Sequence, residues 1–135
     1  KCGIEMRADQ PKTYDMRATV TLLISLLFLI SCGKSSIRVQ NNLPRAVLKN
    51  VEWGGVPLSS QLLPGETSPQ ISIWNDSYYD IDLPASHPLQ FYLELNGDRI
   101  YLQTKMEYRL GKKQDLLIVV EDTTGVFNPL TVAKQ

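Results

Sequence analysis

Sulfur and imidazole are scarce in this chain, whose 135 residues include two cysteines, Cys2 and Cys32, and one histidine, His87. A structural zinc site needs several Cys or His ligands, and a hydrolase of the Ser or Cys type needs a base beside its nucleophile. Neither a metal site nor a cofactor is therefore expected. An excess of one charge is also missing, since Lys and Arg number 14 and Asp and Glu number 14. The only adjacent basic pair, Lys112 and Lys113, stands close to Asp115. Neutralising a phosphate backbone takes clustered cations, so nucleic acid is not an expected partner. Long apolar runs are lacking too. The longest, Ala18 to Ile30, has thirteen residues, and a helix of that length reaches about 20 Å, short of the roughly 30 Å of a bilayer interior.

What that run does have is the order of an export signal. Met16 and Arg17 precede it and Ser31-Cys32-Gly33-Lys34 follows it, which gives a basic start, an apolar middle and small residues at the cut. The run has no polar face of helical period, which argues against a buried core helix. Its last residues, Leu29-Ile30-Ser31-Cys32, resemble the lipobox of bacterial lipoproteins, with Leu at minus three, a small residue at minus one and Cys at plus one. The resemblance implies a helical signal peptide cut between Ser31 and Cys32, and lipid on the Cys32 thiol. Two long acyl chains hold far more firmly than one, because each buried methylene contributes about 0.8 kcal/mol. The expected address is the cell envelope, anchored by lipid. In such lipoproteins Asp after the lipid-bearing Cys is the usual inner-membrane retention signal; here Gly33 stands there, which resembles cargo sent to the outer membrane, on its periplasmic face.

Five segments follow: 1–15, an unstructured stretch lying upstream of the true start; 16–31, the signal peptide; 32–36, a lipidated polar tether; 37–122, the folded domain; and 123–135, a tail. Met6 is an alternative start that changes nothing downstream. Beyond Cys32 the chain holds ten basic and eleven acidic residues and no cysteine, so the domain must rely on its hydrophobic core.

From Ile37 onward, turn formers interrupt the sequence every several residues and no stretch of ten has helical period, which predicts an all-β fold. Candidate strands are Ile37 to Gln40, Ala46 to Trp53, Leu58 to Leu63 (the weakest), Gln70 to Trp74, Tyr78 to Leu83, Leu89 to Leu95, Arg99 to Tyr108 and Asp115 to Glu121. Seven or eight short strands is the count of an antiparallel β-sandwich. Asn96-Gly97 supplies the two positive-φ positions of a type I′ turn, and the register it sets places Leu95 opposite Asp98, Leu93 opposite Ile100, Phe91 opposite Leu102, and Leu89 opposite Thr104. The apolar residues of both strands then share one face. The uninterrupted Leu116-Leu117-Ile118-Val119-Val120 reads as a central strand covered on both faces. Val51-Glu52-Trp53-Gly54-Gly55 and Leu62-Leu63-Pro64-Gly65-Glu66-Thr67-Ser68 are similar to the opening half of small envelope lipoproteins with an immunoglobulin-like sandwich. That resemblance implies the architecture and no activity.

The reactive side chains point to binding rather than catalysis. His87 lies in Pro84-Ala85-Ser86-His87-Pro88, which reads as an exposed turn, and Ser86 points away from it on an extended chain. Asp76, Asp80 and Asp82 form the one acidic cluster, but Asp80 and Asp82 fit the solvent face of a Tyr79-Ile81-Leu83 strand better than a cation loop. The same carboxylates carry the alternative reading, an envelope glycan hydrolase. Aromatics give the remaining hint, because Tyr78, Tyr92 and Tyr101 are out of phase with their strands' apolar positions. Tyr92 faces Tyr101 in the hairpin register, and both fall on the outer face. Such a pair can hold a protein or glycan of the envelope, or it can be ordinary cross-strand pairing covered by the tail. The leading expectation is a non-catalytic, lipid-anchored binding or structural module.

Overall fold

The computed structural model describes residues 33–74, 79 and 81–132. The signal segment, the cut between Ser31 and Cys32, the lipidation site Cys32, and Tyr78, Asp76 and Asp80 lie outside the described residues. Among the described residues no helix is long and apolar enough to cross a membrane.

The fold is mostly β, in two sheets. Its strands are β1 (Ser35–Asn41), β2 (Val47–Trp53), β3 (Val56–Leu62), β4 (Ile71–Ile73), β5 (Ala85–Leu95), β6 (Asp98–Leu110), β7 (Asp115–Val120) and β8 (Val126–Phe127), followed by a single helical turn, α1 (Pro129–Val132). The smaller sheet has the order β4-β1-β7 and the larger the order β3-β2-β5-β6-β8. Ile37, Val39, Ile73, Ile118 and Val120 from the first meet Leu48, Trp53, Val56, Leu58, Leu89, Phe91 and Leu110 from the second in one buried cluster. The arrangement is sandwich-like, and burying each such side chain contributes about 1.5–3 kcal/mol.

Local sequence explains the turns. Gly54 (φ 55°) and Gly55 (φ 83°) join β2 to β3, and Asn96 (φ 53°) and Gly97 (φ 86°) join β5 to β6, so both hairpins use the left-handed pair that a right-twisted ribbon requires. Asn41, buried at the end of β1, donates from its amide nitrogen to the carbonyls of Ala46 (2.8 Å) and Leu62 (3.0 Å) and accepts from the Leu43 N–H (3.1 Å). One side chain thereby ties the end of the small sheet to the start of β2 and the end of β3.

Several expectations need correction. β1 begins at Ser35, so Ser35 and Ser36 belong to the folded domain, where both are buried, and not to the polar stretch read as 32–36. The tail contributes β8, which pairs with β6 through Gln103–Phe127 and Thr104–Val126. It extends the sheet edge. Residues 81–83 form no strand, although Ile81 and Leu83 are buried and Asp82 is exposed; the alternation is real but no ladder accompanies it. β7 is an edge strand, with Leu117 45% exposed. A small sheet of three strands has room for one central strand, and β1 occupies it.

The hairpin register holds from Leu95–Asp98 to Gln90–Gln103 and then shifts, so that Pro88 pairs with Glu107. Proline has no N–H to offer a ladder, and the bulge falls beside it. Leu89 still meets Thr104, but through the side chain, its N–H donating to Thr104 Oγ1 at 2.9 Å while that hydroxyl donates to the Met106 carbonyl at 2.8 Å.

Candidate functional site

The outer face of the larger sheet gathers the polar and aromatic residues of four strands. In one row, Gln61 of β3 pairs with Lys49 of β2, Lys49 with Tyr92 of β5, and Tyr92 with Tyr101 of β6. Directly paired residues share a face, so the row is continuous. The Tyr92 and Tyr101 rings are 5.0 Å apart between centroids and tilted by 48°, within the range of attractive aromatic pairs. Arg99, a diagonal neighbour, holds its guanidinium 4.2 Å from the Tyr92 ring centroid, a cation–π contact. Lys49 donates to Gln61 Oε1 at 2.7 Å and lies 4.0 Å from a Glu94 carboxylate oxygen. In the next row Glu52 pairs with Gln90, Gln90 with Gln103, and Gln103 with Phe127. The Gln90 amide donates to Gln103 Oε1 at 3.0 Å.

Tyr92 and Tyr101 are each partly exposed. The Tyr101 phenol is pushed above its ordinary value by partial burial first, then by the nearby Glu52 carboxylate and by Tyr92. It therefore stays a neutral hydrogen-bond donor well into the alkaline range. Chemically the face offers two aromatic surfaces, amides that both donate and accept, and charges of both signs. That assortment suits recognition of a polar surface more than proton transfer.

His87 does not stand in an exposed turn. It lies within β5, opposite Tyr108, with its ring edge-on to Trp53 at 5.2 Å and 84°. Trp53 is fully buried and its indole N–H donates to the Tyr108 carbonyl at 3.1 Å. This cluster packs the corner between β2 and β6, and burial raises the Tyr108 phenol. Ser86, the neighbour of His87, is exposed. Of the acidic cluster the structure describes Asp82, which is exposed. Among the described residues no three or more His, Cys, Asp or Glu side chains come together as a metal site.

At the end of the domain where β1 and β7 finish, a pocket of about 180 Å³ opens between the sheets, lined by Leu43, Phe91, Leu93, Leu102, Val120 and Val126 among others. The apolar face of the β5–β6 hairpin runs on past it, leaving Leu95 40% and Ile100 48% exposed. Sequence register places these side chains on the core side correctly, but the small sheet is too short to cover them.

Arg99, Glu94, Gln90 and Gln103 were not singled out from the sequence, although the register set by the Asn96-Gly97 turn was a signal that fixes their partners. Lys49, Gln61 and Phe127 carried no such signal, since strands distant in sequence bring them there. Comparisons of the chain with protein-family models, with curated proteins and with solved structures find no match.

Proposed function

We propose that this chain is a bacterial lipoprotein of the cell envelope, cut before Cys32, anchored by lipid on that residue, and bearing a non-catalytic β domain that binds an envelope protein or glycan. The observation that carries the binding reading is the Tyr92–Tyr101 pair with Arg99 stacked on it, partly open on the outer face of the larger sheet. Aromatic and Arg side chains are enriched where interfaces concentrate their energy. The anchoring reading is supported by the lipobox-like Leu29-Ile30-Ser31-Cys32 after a short apolar run. Gly33 favours the periplasmic face of the outer membrane as the destination. The likeness to immunoglobulin-like lipoproteins is kept at the level of architecture, two packed and mainly antiparallel sheets. The connections set hairpins β2–β3 and β5–β6 side by side in one sheet and β7 parallel to β1 in the other.

The anchor is tested by labelled palmitate: incorporation into the native chain and none into Cys32→Ala is expected, and equal labelling of both refutes the assignment. For the binding face, a photo-crosslinking amino acid at Tyr101 in intact cells is expected to capture one specific protein or glycan. Recovery of the lipoprotein alone would count against a partner on this face.

A further inference from the structure

The end of the domain at which β1 begins differs from the outer face in charge and in composition. Lys34 immediately precedes β1, and its ammonium stands 5.1 Å from the centroid of the Trp74 ring. Trp74 follows β4 directly, is 43% exposed, and is brought here because Ile73 pairs with Ser35. On the other side of β1 lies the turn from β6 to β7. Ser35 Oγ donates to the Gly111 carbonyl at 2.7 Å, the Ser36 N–H donates to the Gln114 carbonyl at 2.9 Å, and Ser36 Oγ bonds to the Asp115 carboxylate. That turn displays Lys112 and Lys113, both exposed, with Arg109 exposed just before it. Asp115, exposed and accepting from Ser36, offsets one of these charges, and Arg109, Lys112 and Lys113 leave the turn net positive.

These are the side chains that a lipid surface favours. Tryptophan settles at the bilayer interface because its ring is apolar and its N–H is polar, and each Lys near an anionic leaflet strengthens attachment about fivefold. Chain length adds the decisive constraint. From Cys32 to Ser35 the backbone spans three residue steps, at most about 11 Å, so a domain whose Cys32 is acylated cannot stand clear of the headgroups. We propose that Lys34, Trp74 and the Lys112–Lys113 turn seat directly on anionic phospholipid headgroups and hold the domain upright, with the opposite end of the sheets facing away from the bilayer. This inference rests on the anchoring reading above. It goes further in assigning the domain a lipid-contacting end of its own, and it points the pocket, whose lining includes Glu121 and Asp122 beside its apolar side chains, and the exposed Leu95 and Ile100 into the space where a partner is met.

The test uses protein purified from membranes of cells expressing the full chain, reconstituted into phosphatidylethanolamine vesicles containing phosphatidylglycerol and a brominated phospholipid. Mass spectrometry first establishes whether Cys32 is acylated. For the acylated protein, tryptophan emission is expected to be quenched by the brominated lipid, and the quenching to vanish in Trp74→Phe, because Trp53 is buried in the core. Neutralising Lys34, Lys112 and Lys113 together to Gln is expected to weaken docking about a hundredfold, with the protein still floating with the vesicles through its acyl chains. Replacing phosphatidylglycerol by phosphatidylcholine should do the same. Acylated protein that floats with the vesicles but shows no quenching of Trp74, as expected if this end instead binds an acidic protein, overturns the inference and leaves the anchor intact. Quenching indifferent to the lysines and to phosphatidylglycerol also overturns it. A Cys32 without acyl chains overturns the anchoring reading and the inference together.

Discussion

Gly54 lies against the ring of His87, so closely that a Cβ added at Gly54 would overlap His87 Cδ2. The turn that joins β2 to β3 is thus also the floor under a side chain of β5, and it connects a local conformational need to a long-range contact. At Gly55, with nothing within 4 Å of an added Cβ, only the positive φ matters. Gly55→Ala is expected to cost about 1 kcal/mol, and Gly54→Ala roughly 2–3 kcal/mol because the overlap adds to the strain. Urea unfolding of both variants separates the two contributions. If His87 is the cause of the difference, combining Gly54→Ala with His87→Ala should recover part of the loss.

Thr104 is buried and its hydroxyl closes the bulge between β5 and β6. Thr104→Val keeps the shape and leaves the Leu89 N–H without its acceptor, so a loss of about 1–3 kcal/mol is expected. Thr104→Ser, which keeps the oxygen, should lose much less. Equal stability of the Val and native chains in chemical denaturation would show that the bulge is held by other contacts.

Trp53 fills the corner of the core and donates to the Tyr108 carbonyl. Trp53→Ala is expected to cost about 3–5 kcal/mol, a large share of a small domain's total stability. Soluble expression together with the thermal midpoint reads this out. Trp74→Ala, at an exposed site, should leave the midpoint nearly unchanged.

Tyr101 and Tyr108 have raised phenol pKa values. A phenol raised on folding binds its proton more tightly in the native chain, so its contribution is fully present below the ordinary value near 10 and is lost as pH rises through the raised one. Stability should fall with pH above about 10, and less steeply in Tyr101→Phe and Tyr108→Phe. Glu52→Gln should lower the Tyr101 titration midpoint, followed by phenolate absorbance. An unchanged midpoint would remove Glu52 as a cause.

Tyr92→Ala removes the ring that Tyr101 and Arg99 both contact. Cross-strand aromatic pairs contribute roughly 0.2–1 kcal/mol, so the domain should stay folded by circular dichroism while crosslinking from position 101 is lost. Retained crosslinking would place the partner elsewhere.

Sequence alone determined the all-β character, because turn formers and period-two alternation are properties of neighbouring residues. It also determined the β5–β6 hairpin as far as Gln90–Gln103, since Asn96-Gly97 admits one tight turn and the register follows by counting. Tertiary structure decided the rest. Leu116 to Val120 is apolar throughout, which reads as a central strand, yet it sits at an edge because β1 takes the middle of the smaller sheet. Burial depends on how many strands surround a segment, and no local window contains that number. The same limit hid Lys49 and Phe127 from the tyrosine face and Trp74 from the Lys112–Lys113 turn. Each is placed by hydrogen bonds between strands far apart in the chain, and those pairings follow from the free energy of the whole core, not from any one of its segments.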